Sequence, residues 1–545
     1  MPHAMARRNH SIIFPRRCKF FISAGTLAAD HGTTVAFTFA ARPRSPPPPN
    51  LHPPPARGDN HRQTNTVTTN TVTTTNGVAM NAAATEAAAA ANAAATNAAT
   101  NAELLGKDHR HLIHPLHHTA GHADGRVWVR GEGSYLYDAD GNRFIDGLSC
   151  LWNVSAGHGR RELADAAHKQ MNELAFASSY AGGSNRPAVE LAERLARIAY
   201  PNINNFYFTC GGGESTDSNI KLARYYWKAK GKQDKVKVIG RQWGYHGVTF
   251  GAMCATGIDA YKPDFAPLIP GFSHIPAPDP YHYPAPADGA SQGVAAANEL
   301  EKEILKQGAD TVAMFIAEPV QGAGGVIVPP PDYFPRIREI CDQYEVLLVS
   351  DEVITGFGRT GKMFGLQHYG VQPDLMQFAK SITSGALPLG GIGMSDAVAR
   401  TITASPKPWM HAYTYSGHPT ACAVALATLD IIENEDLPGQ AAAKGEVFLR
   451  NLHAALDDLP HVGNVRGMGL MAGVEIVADR DAKTWYAPDF ALGAKLTRAL
   501  LARGLTTRVR SEVICLAPPL TTEPKILDQI VSTVHDAVVE VTGAN

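Results

Sequence analysis

The chain has 545 residues, 44% hydrophobic and 18% charged, with a formal net charge of −2 at pH 7; that length calls for two or more structural units. So balanced a charge excludes the basic footprint of a nucleic-acid or anionic-membrane binder. No run approaches the roughly 20 apolar residues of a membrane span, so small molecules and a second copy of the chain are the expected partners.

Residues 1–103 read differently from the rest. "ARPRSPPPPNLHPPPARGDN" is proline-rich and is followed by a low-complexity Thr/Asn/Ala tract. Neither can bury enough apolar surface to offset chain entropy, so disorder is expected. The opening "MPHAMARRNHSIIFPRRCKFF" is basic and free of acids. It reads either as a mitochondrial or other organellar transit peptide or as a leader upstream of a start near Met80. The tract that follows is not amphipathic, which favours the second reading and a cytoplasmic protein. Seven cysteines lie scattered, with no CxxC pair, as in a reducing compartment.

"HRHLIHPLHHTAGH" (109–122) has loose spacing and no accompanying cysteine; no metal is expected there, and the segment is assigned to the mouth of a pocket. "GRVWVRGEGSYLYDADGNRFIDGL" (125–148) alternates like strands around a DG turn and predicts a hairpin packing on the C-terminal part. From about residue 200, short apolar runs alternate with helical periods. "NNFYFT", "VKVIG", "TVAMFIAEP", "EVLLVSD" and "LMQFAK" are read as strands. "ESTDSNIKLARYYWKAKGK" and "PDYFPRIREICDQY" are read as helices. Such alternation implies an α/β fold with a mostly parallel sheet covered on both faces, its ligand at the carboxyl ends of the strands. Further on, "TACAVALATLDIIENE" and "AAAKGEVFLRNLHAALDDL" predict helices and "VRGMGLMAGVEIV" a glycine-punctuated strand, within a smaller α+β unit.

Strand-end positions carry the chemistry. Lys380 closes an apolar run, where desolvation lowers an amine's pKa and frees it as a nucleophile; a lysine snorkelling at a strand edge is the alternative. Asp351 ends another run, placed either to hold a protonated pyridine nitrogen or to serve as a cap. Gly211 to Gly213, after a strand and before a helix, offer backbone N–H groups to a phosphate, or a flexible connection. Tyr245 presents an aromatic face to a ring, or to the core.

"LLVSDEVITGFGRTG", Lys380 in "FAKSITSGALPLGG" 29 positions after Asp351, "WGYHG", "AEPVQGAGG" and "TYSGHP" together resemble the class III aminotransferases, from about His114 to the C-terminus. Within that family the likeness is to omega-amino acid and amine:pyruvate transaminases. The resemblance implies a fold-type I pyridoxal 5'-phosphate enzyme, with a seven-stranded large domain (167–422) and a small domain built from both chain ends (104–166 and 423–545). It implies ping-pong transfer from an amine to pyruvate, with Lys380 forming the internal aldimine and moving the proton. Asp351 would pair with the pyridine nitrogen, Val353 pack beneath the ring, Tyr245 stack on it, and Gly212 and Gly213 hold the phosphate. Thr414 would reach the phosphate of a neighbouring subunit, which implies a homodimer with shared sites, or a tetramer built from it. Trp152 matches an aromatic pocket wall, and Arg508 a mobile arginine that grips a carboxylate, with Arg510 a nearby competitor. Ala323 stands where ornithine and 4-aminobutyrate aminotransferases keep a glutamate, which points to a pyruvate-linked enzyme. The glycine turn also lacks the family's serine hydroxyls. A decarboxylase or aminomutase using the same cofactor, and a catalytically silent binding protein, are the alternative functions.

Overall fold

Ordered chain begins earlier than the composition suggests. The structure, a computed structural model, describes residues 99–118, 125–286 and 289–543, so most of the segment expected to be disordered lies outside the described residues. A helix, Asn101–His111, starts within the last three residues of that segment. Its N-terminus is a capping box: Glu103 N–H donates to Thr100 Oγ1, and Thr100 N–H donates to the Glu103 carboxylate at 2.9 Å. The signal is Thr100 followed three residues later by Glu103, which the alanine-rich tract before it obscures.

Strands β1 (Trp128–Glu132), β2 (Tyr135–Asp138) and β3 (Arg143–Asp146) form an antiparallel meander, with Gly141 left-handed in the DG turn. The large sheet comprises β4 (Ile203–Thr209), β5 (Lys237–Arg241), β6 (Phe272–Ile275), β7 (Val312–Ala317), β8 (Leu347–Asp351), β9 (Leu375–Phe378) and β10 (Gly390–Ser395). Their spatial order is β4-β10-β9-β8-β7-β5-β6, all parallel except β10. Every residue of β7, β8 and β9 is buried, because apolar side chains leave both faces. Phe315 and Ala317 join a core with helices Gln292–Gln307 and Tyr333–Gln343, whereas Met314 and Ile316 join another with helix Gly212–Ala229. The sequence-predicted strands and helices of this sheet are therefore present.

The run "VRGMGLMAGVEIV" is not one strand but a hairpin, β11 (Val462–Gly467) and β12 (Ala472–Ile476). Its turn needs Gly469, which has φ +58° and sits where a Cβ would approach within 2.4 Å of the Thr360 backbone. Strand β13 (Leu505–Thr506) pairs in parallel with β3, so the leading hairpin is built into the C-terminal part as expected. Strands β14 (Arg508–Arg510) and β15 (Val513–Leu516) complete the antiparallel order β11-β12-β15-β14. Arg359, fully buried, fastens these pieces: it donates to Leu470 O at 2.9 Å, Pro518 O at 2.6 Å and Ser149 Oγ at 2.9 Å. No helix among the described residues is long and apolar enough to cross a membrane.

Candidate active site

Five parallel strands deliver their carboxyl ends to one cavity of about 410 Å³. After β4 come Gly211, Gly212 and Gly213; after β5, Tyr245 and His246; after β7, Glu318; at the end of β8, Asp351; after β9, Lys380. β10 runs the other way, so the residues before it, Leu387 to Leu389, reach the same edge. Of the sequence-predicted site residues, Gly212, Gly213, Tyr245, Asp351, Val353 and Lys380 all line this space.

The adjacent carboxylates of Asp351 and Glu352 have opposite duties. Glu352 is fully buried and meets no cation among the described residues; Tyr200 and Ser350 hydroxyls and Leu366 N–H donate to Oε1, and Thr355 hydroxyl and Gly365 N–H to Oε2. It pins the glycine-rich turn to the end of β8. Asp351, 2% exposed, faces the cavity; its Oδ1 accepts Val353 N–H at 3.1 Å and its Oδ2 is 2.7 Å from His246 Nδ1. His246 Nε2 is buried without a partner, so the hydrogen-bond network assigns the proton to Nδ1, donating to Asp351.

Lys380 lies beyond β9 in a left-handed conformation (φ +49°), opening a 3₁₀ turn Lys380–Thr383. Asp351 pairs in register with Gln377, three residues earlier on the neighbouring strand. Burial pushes the Lys380 amine below its ordinary pKa; Asp351 and Glu318 pull the other way, and Arg508 adds to the lowering. Glu318 accepts the N–H groups of Tyr245 and Gly322, each at 3.0 Å, and its carboxyl is raised chiefly by burial. It joins the aromatic loop to the loop carrying Ala323.

The glycine turn opens an 18-residue helix whose first N–H groups have no acceptor within it. A Cβ on Gly212 would come 3.1 Å from Val353 Cγ2, so the turn and Val353 form one surface, while a Cβ on Gly211 would meet nothing within 4 Å. Thr216 hydroxyl donates to His246 O at 2.6 Å, fixing the helix to the Tyr245–His246 loop.

The remaining predicted residues stand elsewhere. Trp152 does not form a wall of the cavity: it is 2% exposed and packs beneath Ile354, which does line it. Its φ of +64° turns it into the core shared with Val320, Val326 and Val513. Ala323 is buried beside the cavity without lining it. Thr414 is exposed in a turn and does not reach the cavity of its own chain. Arg508 is half-buried on β14, outside the lining but acting electrostatically on Lys380 and Tyr245. It has no ion pair or side-chain hydrogen bond among the described residues, whereas the Arg510 guanidinium lies 4.1 Å from the Trp243 ring centroid. Residues 109–118 do not line the cavity either; there His114 Nε2 meets the Asp108 carboxylate at 2.8 Å. The rest of that histidine-rich segment, residues 119–122, lies outside the described residues.

Sequence reasoning passed over His246, Glu318 and Thr249, which also line the cavity. Glu318 was visible as a polar residue directly following a strand end, inside "AEPVQGAGG", and His246 as one in the loop after another, inside "WGYHG".

This architecture, with an acid and an amine at adjacent strand ends above a glycine turn, defines a fold-type I pyridoxal-phosphate enzyme. The model of the class-III aminotransferase family matches residues 119–538. The chain belongs to that family and is a pyridoxal 5'-phosphate-dependent aminotransferase. It is 38% identical to the diaminobutyrate–2-oxoglutarate transaminase of Halomonas elongata, covering 82% of this chain and 97% of the relative. It is 40% identical to the putrescine–pyruvate aminotransferase of Pseudomonas aeruginosa, over 75% of this chain and 89% of the relative. Among solved structures, an (S)-enantioselective omega-transaminase from Thermomicrobium roseum is 47% identical, with a TM-score of 0.78 over 81% of this chain and 99% of the other. The donor set fits the cofactor: a carboxylate, an amine, an aromatic face and a turn without side chains surround one cavity.

Proposed function

We propose that the chain moves the amino group of an omega-amino acid or primary amine to pyruvate in two half-reactions at this cavity. One observation carries the choice of acceptor: Arg508 has no ion-pair partner among the described residues, and Ala323, buried in the loop after β7, offers no carboxylate to hold it. An unpaired guanidinium near Lys380 is available to a small keto acid's carboxylate through a bidentate pair. The likeness to a putrescine–pyruvate enzyme supports the same reading.

Bound pyridoxal phosphate supplies the electron sink for charge developing at the substrate carbon. Lys380 would hold the cofactor through its aldehyde and, as a free amine, would carry the proton from the substrate carbon. Burial favours the neutral amine that this step requires. Asp351, oriented by His246 and by Val353 N–H, is assigned to the ring nitrogen. Val353 and Tyr245 are assigned to the two ring faces, and the amides of Gly212 and Gly213 to the phosphate. Trp152 backs the pocket through Ile354.

The chain is proposed to act as a homodimer. Thr414 is exposed and cannot serve its own cavity, and the surrounding surface carries exposed Tyr180, Met410 and Tyr415, an apolar exposure that suits association.

A panel of beta-alanine, 4-aminobutyrate, putrescine and an arylalkylamine, each with pyruvate or 2-oxoglutarate, tests the acceptor. Alanine formation with a kcat/KM well above glutamate formation is expected, and Arg508→Ala should raise the KM for pyruvate about 10- to 100-fold, from losing a charge-assisted pair of roughly 1.5–3 kcal/mol. Preferential use of 2-oxoglutarate, or an Arg508→Ala variant with an unchanged pyruvate KM, contradicts the proposal.

A further inference from the structure

Outside the cavity, one mixed cluster has the chemistry of a metal centre. Asp146, Cys150 and His158 present a carboxylate oxygen, Sγ and Nε2 that all lie within 4.8 Å of one another. His158 Nε2 is 2.8 Å from Asp146 Oδ2 and 3.9 Å from Cys150 Sγ. In a tetrahedral zinc site, bonds of about 2.0–2.3 Å separate a sulfur and a nitrogen ligand by about 3.6 Å, and a nitrogen and an oxygen ligand by about 3.4 Å. Opening the His158–Asp146 contact by about half an ångström and closing the His158–Cys150 separation by about 0.3 Å brings these two pairs to tetrahedral spacing, with the Asp146 oxygen and Cys150 Sγ already within 4.8 Å of each other.

Each ligand is held by a different rigid device. Asp146 ends β3, and its oxygens accept the N–H groups of Leu148 and Cys150, at 2.7–3.1 Å. His158 is bridged to Gly133 by two backbone bonds of 2.8 and 3.0 Å, and its ring lies where a Cβ on Gly131 would come within 2.7 Å. Cys150 has φ +56°, which directs its thiol to the imidazole rather than along a helix. The Asp146 and His158 side chains are 1% and 12% exposed, while Cys150 is exposed, so the first two are desolvated and the third is open to solvent.

We propose that Asp146, Cys150 and His158 bind one zinc ion, with water as the fourth ligand. A thiolate, an imidazole and one carboxylate suit a borderline-soft divalent ion better than magnesium or calcium, which take oxygen ligands. Binding converts the Cys150 thiol to thiolate and releases that proton to solvent. The metal takes Nε2 of His158 as a neutral imidazole whose proton sits on Nδ1. The backbone N–H groups on Asp146 stay in place as supports for the ligand. Occupancy cross-links the end of β3 to the segment that carries Trp152.

The test uses the cofactor-loaded full chain, stripped with chelator and titrated with zinc chloride and, separately, cobalt(II) chloride. About one metal per chain is expected, with the visible d–d absorbance of a sulfur-bound tetrahedral cobalt ion to the red of the cofactor band, and release of about one proton per zinc. Cys150→Ser should abolish the cobalt absorbance and the zinc-dependent rise in thermal midpoint, while cofactor content stays unchanged. If that variant loses cofactor, Cys150→Ala is measured instead. Failure of the wild type to bind, or retention of the same cobalt spectrum in the Cys150 variant, overturns the proposal. No amine or keto acid is present in these titrations, so their outcome is independent of the substrate assignment.

Discussion

Replacing Glu352 by glutamine removes a negative charge while keeping the shape of the side chain. In the native chain five donors converge on this fully buried carboxylate. A glutamine amide presents two donors of its own. Turned toward Oε2, it confronts Gly365 N–H, a backbone donor that cannot rotate away. Turned toward Oε1, it lets the Tyr200 and Ser350 hydroxyls rotate to accept, and Leu366 N–H keeps its 3.1 Å bond to the Tyr200 oxygen. The second orientation costs least, yet the contacts lose their charge assistance and one donor is left weakly paired. A destabilisation of about 2–4 kcal/mol follows. For a chain of this size, 1 kcal/mol lowers the thermal midpoint by roughly 1 °C, so a fall of about 2–4 °C is expected by calorimetry. Glu352→Ala, which removes the shared acceptor and leaves only Leu366 N–H with its bond to the Tyr200 oxygen, should yield little folded protein. An unchanged or higher midpoint for Glu352→Gln would refute the assignment of Glu352 as the uncharged-donor anchor of the turn.

His246→Ala removes the 2.7 Å bond to Asp351; apoenzyme titration should show cofactor affinity about 10- to 100-fold weaker, corresponding to roughly 1.5–3 kcal/mol. Gly212→Ala, whose new methyl would press on Val353 at 3.1–3.2 Å, should weaken the cofactor in the same titration, whereas Gly211→Ser, with extended backbone and open space, should not. Burial would raise the Glu475 carboxyl, but His282, Arg466 and Trp485 bring it down to about 2 from its ordinary 4.5. Such a depressed group stabilises fully above about pH 4.5 and loses its contribution as pH falls toward 2. Glu475→Gln should therefore lie roughly 3 kcal/mol below wild type at pH 7, with the gap in thermal midpoint closing in acid.

The large sheet was legible because its strands are buried on both faces and read as unbroken apolar runs, each ended by glycine, proline or a charge. Asp351 and Lys380 stood out for the same reason, as ionisable groups at the edge of apolar strands. Periodicity could not divide "VRGMGLMAGVEIV" into two strands, since the turn depends on Gly469 approaching Thr360, more than a hundred positions away. Trp152 was legible as part of a motif but not as a core residue, because successive left-handed conformations at Ser149, Cys150 and Trp152 decide where the ring points. His246 escaped because its importance arises from pairing with Asp351 across two strands that are not neighbours in the sheet. Thr414 and Arg508 do not line the cavity of their own chain, so its lining alone does not mark them.

The central claim is that Lys380 is the residue that bonds the cofactor opposite Asp351. Borohydride reduction of the cofactor-loaded protein, followed by peptide mapping, tests it most directly. The account predicts a phosphopyridoxyl group on the peptide carrying Lys380, and none in Lys380→Ala. Labelling of a different lysine, or undiminished labelling of the Lys380→Ala protein, would contradict it.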